Sequence, residues 1–249
     1  MTGLLRARAV GGRVLRQIAR DRRFLGLALL APLFVVYLLK VFLASVDVPF
    51  FRAETIAVPA GAFIVHFITY VLTAIVLVRE RSEQTLARMF ANGFRQREII
   101  GGYMAAYTAL ATLQSALVLS ELAWLFELDY PASRFASLYL VMWMLSIISM
   151  SLGIFVSNFA RNEGQVLPFI PLVVVPSLFL SGVIIPVEDL PAWTRALSRL
   201  TPLYHADAVL DPLLKTGGRL VDAGWALLGL PVYGVVVLTL AAFTLRERD

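Results

Sequence analysis

The chain has 249 residues, of which 59% are apolar and 16% charged, and its formal net charge is +5. Soluble domains carry roughly a quarter of charged residues, and here the few charges are clumped, which excludes a soluble globular enzyme, a disordered chain and a nucleic-acid-binding module. With no cysteine there is no disulfide framework, no thiolate nucleophile and no cysteine-based metal site.

Six stretches are almost free of charge: 24–46, interrupted only by Lys40, then 55–78, 99–120, 135–160, 164–187 and 223–245. About 20 apolar residues cross a bilayer core as a helix. The pattern therefore predicts an all-α integral membrane protein, a single membrane domain over 1–249 with six transmembrane helices. If all six cross, residues 1–23, 79–98, 161–163 and 246–249 share one side. They hold fifteen basic and seven acidic residues, against seven basic and ten acidic elsewhere. The excess of arginine near span ends places both termini in the cytoplasm. Residues 1–44 read as part of the protein and not as a cleaved signal peptide, because the charged region would be 23 residues long and no clean small-x-small cleavage site precedes a soluble domain.

In chain order, residues 1–23 form an interfacial helix. Leu4, Ala7, Val14 and Ile18 project to one side at helical spacing and Arg6, Arg13, Arg16 and Arg20 to the other, the pattern of a helix lying on an anionic leaflet. His66 falls midway along the second span and Glu121 near the outer end of the third. Ionisable groups within a membrane are candidates for a transport pathway; a satisfied core histidine and a carboxylate reaching water are the plain alternatives.

The loop 79–98 is the most informative. Ser82 is placed to cap a short helix with Glu83 in its first turn, and Asn92-Gly93 to end it. Leu86, Met89 and Phe90 recur at i, i+3, i+4 with Phe94 just beyond. Such a stripe docks into a partner's groove or packs beneath the chain's own spans. In the third span Gly101, Ala105 and Ala109 repeat every four residues, which lets another helix approach closely.

Pro168, Pro171, Pro176 and Pro186 predict a kinked or broken fifth span. Beyond it, Ser181-Gly182, Pro186, Leu190-Pro191 and the run 192–200 with Trp193 read as an outer re-entrant segment over 183–202 or as an external loop with one surface helix. No G-x-x-x-x-G-K-[ST], H-E-x-x-H or G-x-S-x-G is present. No catalytic, cofactor-binding or metal-binding set is therefore assigned.

Two stretches carry a family likeness. Arg79-Glu80-Arg81-Ser82-Glu83-Gln84-Thr85-Leu86-Ala87-Arg88-Met89-Phe90 is similar to a "RE…GTLE.LL" coupling segment. Phe179-Leu180-Ser181-Gly182-Val183-Ile184-Ile185-Pro186, followed by Leu190-Pro191 and Leu200-Thr201-Pro202-Leu203-Tyr204, is similar to a "FLSG…P…LP…NPL.Y" signature. Both belong to the type-2 ABC export permeases, which the chain resembles over nearly its whole length. It departs from the pattern at Gln84, where glycine is frequent, at Asn92-Gly93, where Thr-Pro is frequent, and at Thr201, where asparagine is usual.

The resemblance implies a bacterial cytoplasmic-membrane exporter of a drug-like, lipid or glycan substrate, working as a pair of permeases, expected to be identical, above two copies of a separate ATPase. ATP and magnesium would belong to that ATPase, with no cofactor in this chain and no nucleic acid involved. Glu83, Leu86, Met89, Phe90 and Phe94 would dock the ATPase, and Pro186, Leu190, Pro191 and Trp193 would belong to an outer gate. The alternative is a self-sufficient carrier or channel using His66 and Glu121.

Overall fold

The computed structural model of the chain describes residues 3–45, 53–215 and 218–244, with the side chains of 53 and 54 left aside. Among the described residues there are ten α-helices and no strand: α1 Gly3–Arg20, α2 Arg22–Ser45, α3 Ala53–Ser82, α4 Thr85–Ala91, α5 Gln96–Leu125, α6 Ala132–Ser157, α7 Phe169–Phe179, α8 Ala192–Ser198, α9 Pro202–Lys215 and α10 Trp225–Thr244. Five of them, α2, α3, α5, α6 and α10, are long and apolar enough to cross a membrane. At 1.5 Å per residue the 30 residues of α3 run about 45 Å, beyond a hydrocarbon core of about 30 Å. The surplus turn carries Arg79, Glu80 and Arg81 as helix.

The stretch 164–187 is not one helix. A 3-10 turn at Glu163–Gln165 leads to α7, whose 11 residues extend only about 16 Å. Pro168 occupies the N-cap position of α7 and Pro171 its first turn, where a missing N–H is already unpaired. Chain bends from 181 to 185 follow, with Gly182 at φ +106. A 3-10 turn, Val187–Asp189, and α8 then precede α9, a second helix beyond the one surface helix of the external-loop reading. α9 buries Leu203, Ala206, Val209, Leu210 and Leu213 and packs on α3, α6 and α10.

α3 and α6 bury most of their apolar stretches, whereas α2 and α10 leave most of theirs uncovered. One apolar core joins α3, α5, α6, α9 and α10, with Leu119, Leu122, Leu138 and Met142 at its centre. A second lies at the basic end, among α1, α4, α5 and α6.

Close helix approach depends on glycines other than those of the expected ladder. Gly101, Ala105 and Ala109 all face outward. The contact is made one residue on, where a Cβ at Gly102 would stand 2.6 Å from Val10 Cβ and 2.8 Å from the Ala7 carbonyl oxygen of α1. Val10, Val14 and Ile18 are accordingly buried against α5, so the apolar face read as lying on lipid is covered by the chain itself. Leu4 and Leu5 remain exposed.

Candidate functional site

Four elements converge at the basic end around α4. α3 continues through Ser82, whose hydroxyl donates to the Arg79 carbonyl at 2.9 Å, so Ser82 does not cap α4. The chain reverses instead at Gln84, in the left-handed region at φ 57. That is the position where the resembled pattern carries glycine, the residue that takes this conformation without steric cost. Asn92 is the C-cap of α4, and Gly93 follows at φ 76, the stop expected of that pair.

Leu86 is buried in a cluster with Val14 and Ile18 of α1, Leu77 of α3 and Ile99 and Tyr103 of α5. Met89, Phe90 and Phe94 are half-buried against the same cluster, whereas Glu83, Ala87, Arg88 and Ala91 are exposed. The apolar stripe thus lies mostly under its own chain, and a largely polar surface points outward.

Charged pairs tie these elements together. Glu80, on the last turns of α3, is 3% exposed, and a carboxylate so placed is tolerable only with donors on its oxygens. Arg13 of α1 donates to one oxygen at 3.4 Å and Gln17 to the other at 3.1 Å. Arg13 also donates to the Tyr103 hydroxyl of α5 at 2.7 Å. Two turns earlier, Arg6 donates to the Gly93 carbonyl, lies 5.8 Å over the Phe94 ring and approaches Glu98 to 3.7 Å. Glu98 in turn accepts the Arg95 backbone N–H at 2.9 Å and so caps α5. Arg81 donates to the Ser157 and Ala160 carbonyls at 2.5 and 3.2 Å and to Asn158 Oδ1 at 2.7 Å, closing the C-terminal end of α6. Arg13, Gln17, Glu80 and Glu98 were not among the sequence-derived site residues. Their partners lie far along the chain, and only the i, i+4 step from Arg13 to Gln17, beside the apolar face of α1, hinted at a shared polar contact.

His66 is fully buried between α3 and α6, its Nδ1 2.7 Å from Ser149 Oγ. Ser149 donates its own proton to the Leu145 carbonyl at 2.6 Å, so it accepts from a protonated Nδ1. That leaves Nε2 as an acceptor without a donor among the described residues. Glu121 is half-buried, and its Oε2 is likewise unpartnered there. The two do not meet in a shared polar contact.

At the opposite end Pro186, Pro191 and Trp193 are exposed and Leu190 half-buried. Pro186 and Pro191 precede the 3-10 turn and α8, and Arg195 staples the excursion by donating to the Glu188 and Leu190 carbonyls at 2.8 and 3.1 Å. Beneath it a cavity of about 310 Å³ is lined by Gly182, Glu188, Tyr204, Asp207, Asp211 and Lys215, among others. Burial, then the neighbouring Asp211 charge, raise the Asp207 carboxyl to about 7.

Residues 7–210 match the ABC-2 type transporter family, a stretch running from α1 into α9. The chain is 27% identical over 180 residues to "ABC transporter G family member 20" of Dictyostelium discoideum, covering 72% of this chain and 24% of that protein. It is 24% identical over 135 residues to "Probable multidrug ABC transporter permease YbhR" of Escherichia coli strain K12, covering 54% and 36%. With "Nodulation protein J" of Rhizobium meliloti strain 1021 the identity is 35% over 98 residues, covering 39% and 37%. The chain thus spans between about a quarter and somewhat over a third of the length of these relatives. A multi-pass helical membrane chain matched by the family over most of its length, it belongs to the ABC-2 type transporter permeases.

Proposed function

We propose that this chain is the permease subunit of an ATP-driven exporter in a bacterial cytoplasmic membrane. Its termini are cytoplasmic, it works as a pair of identical copies, and a separate ATPase docks beneath each copy at α4. ATP and magnesium belong to that ATPase. The substrate is a drug-like molecule, a lipid or a glycan, and the excursion through Pro186, Leu190, Pro191 and Trp193 closes its outer exit.

The observation that carries this reading is the construction around α4. The helix and the turn before it expose Glu83, Ala87, Arg88 and Ala91 while Leu86 is sunk into a cluster shared with α1, α3 and α5. A force applied from outside to such a helix is delivered directly to two spans. Met89, Phe90 and Phe94, half-buried at its margin, supply the apolar rim of the contact. The multidrug permease named among the relatives supports a drug-like cargo. A ligand shifts a conformational equilibrium only by its differential affinity for the two states, so the ATPase must hold the α4 surface differently when it closes on nucleotide.

The test is to purify the tagged chain from its own host in mild detergent and identify what accompanies it. The expected result is a stoichiometric ATPase, lost when Glu83 and Arg88 are reversed in charge or when Met89 and Phe90 become Asp. A homo-oligomer without an ATPase that transports in nucleotide-free vesicles would overturn the proposal.

A further inference from the structure

The α3–α5 interface is polar where a bilayer-spanning bundle is expected to be dry. On α3, His66, Thr69, Thr73 and Glu80 fall on one face at i, i+3, i+7 and i+14. α5 brings Tyr103, Tyr107 and Gln114 against it. Thr69 donates its hydroxyl to Gln114 Oε1 at 2.9 Å, both side chains being buried. This single bond leaves Gln114 Nε2 and Thr73 Oγ1 with no partner among the described residues. Each such group in an apolar interior carries an uncompensated desolvation penalty, and hydrocarbon around the bundle offers no relief. Exchanging the oxygen and nitrogen of the amide does not remove the problem. It replaces an orphan donor by an orphan acceptor.

Thr69, Thr73 and Gln114 share the wall of one small cavity, with Leu72, Tyr107, Leu110 and Ala111 completing it. Its volume is about 10 Å³, the room needed for one water, which also needs two to four polar partners. We infer that the α3–α5 interface binds a single water molecule that accepts from Gln114 Nε2 and donates to Thr73 Oγ1, with the Thr69 hydroxyl oxygen as a third partner. Tyr107 also lines a crevice of about 40 Å³ formed with Gln17, Asp21, Arg79 and Glu80 at the basic end, so the water site and that crevice share a wall residue. The site stands independently of the transport reaction proposed above.

A bound water and a dry cavity predict opposite signs for Thr73→Val, which removes the hydroxyl at nearly constant shape. With water bound, the substitution takes away one of its partners and the thermal midpoint of the purified chain in detergent falls by about 2–4 °C, the shift for roughly 1 kcal/mol in a chain of this size. Gln114→Leu lowers it similarly, and the double variant falls by clearly less than the sum because the whole network is then gone. A midpoint that Thr73→Val leaves unchanged or raises, or strict additivity with Gln114→Leu, overturns the inference. A second measurement needs no variant. Brief X-ray radiolysis of the wild-type chain in ¹⁸O-water should oxidise Tyr107, 4% exposed, with the heavy label at a rate above that of Tyr103, 1% exposed. Absence of that labelling overturns the water site on its own.

Discussion

The seating of α1 on α5 can be tested by giving Gly102 a side chain. A Cβ there would lie 2.6 Å from both Val10 Cβ and Cγ1 and 2.8 Å from the Ala7 carbonyl oxygen. Carbon atoms rest about 3.5–4.0 Å apart, and the carbonyl belongs to the α1 backbone, so no rotamer change clears the contact. In Gly102→Val, α1 must retreat by about 1 Å, and with it Val10, Val14 and Ile18, now 3%, 2% and 7% exposed. Overpacking of this kind costs about 1–3 kcal/mol, which enlarges the open fraction of α1 by about 5- to 150-fold. The chain has no cysteine, so a single Val14→Cys reports opening through its rate of maleimide modification, with Leu4→Cys, 81% exposed, as the reference for reagent reactivity. Gly12, which has nothing within 4 Å of its ideal Cβ, is the matched control, and Gly12→Val should leave the rate unchanged. If Gly102→Val yields a monodisperse protein in which Val14→Cys is as protected as before, the packing of α1 described here is refuted.

Other perturbations probe single features. Gln84→Gly should raise the thermal midpoint, since a non-glycine residue at φ 57 carries roughly 1–2 kcal/mol of strain, partly offset by the greater freedom of glycine in the unfolded chain; an unchanged or lower midpoint refutes the assigned turn. Glu98→Gln keeps an acceptor for the Arg95 N–H and should cost under about 1 kcal/mol, whereas Glu98→Ala loses the cap as well and should cost about 1–2 kcal/mol more, as read from unfolding midpoints. Arg13→Gln leaves the buried Glu80 carboxylate without its cation and should destabilise by about 2–3 kcal/mol, the low end for a broken buried pair because Arg13 is itself 35% exposed. Asp207 is raised from 3.8 to about 7, so the folded chain binds more protons than the unfolded one across that window. Its contribution is present at acidic pH and lost as pH rises through about 7, and Asp207→Asn should flatten this part of the midpoint-versus-pH curve.

Five of the six expected spans lie within a few residues of observed helices because an uninterrupted apolar run long enough to cross a bilayer has few other structures open to it. The fifth is different. Its prolines signalled a break, but a break does not say whether the chain crosses, and α7 ends after 11 residues. α9 went unseen because His205, Asp207, Asp211 and Lys215 interrupt its apolar run, although Leu203, Ala206, Leu210 and Leu213 keep the helical period. For α1 the amphipathic period was legible and its partner was not, since an apolar face has the same pattern against lipid or protein. The stripe of α4 posed the same ambiguity, and Leu86 turned inward. Ser82 had the right residue type for a cap but lies inside α3. The pairing of His66 with Ser149 joins helices 83 residues apart, a distance over which spacing carries no information.

The two kinds of contact around α5 differ in how they can yield. At the basic end α5 is held to α1 and α4 by close glycine contact, a shared apolar cluster and the Arg6–Glu98 and Arg13–Tyr103 contacts. Packed interiors of this kind move as a unit or separate; they do not deform continuously. Further into the bundle α5 meets α3 through Thr69–Gln114 and the unpartnered Thr73 hydroxyl, and meets α6 through Ser115 and Ser146 at 3.1 Å. Short hydroxyl and amide side chains can exchange partners after a displacement of an ångström or two, and a water between them makes the exchange less costly. On the proposed reading, a push on the exposed face of α4 therefore carries α1 and α5 together and is accommodated along the polar α3–α5–α6 seam. Replacing that seam with apolar residues should then uncouple ATP hydrolysis from transport, with the fall in thermal midpoint expected of the Thr73→Val and Gln114→Leu pair and with α1 still seated on α5. Loosening α1 through Gly102→Val should uncouple the two as well, but with Val14 newly open to modification. Finding both activities coupled in an apolar-seam variant would show that the movement takes place elsewhere.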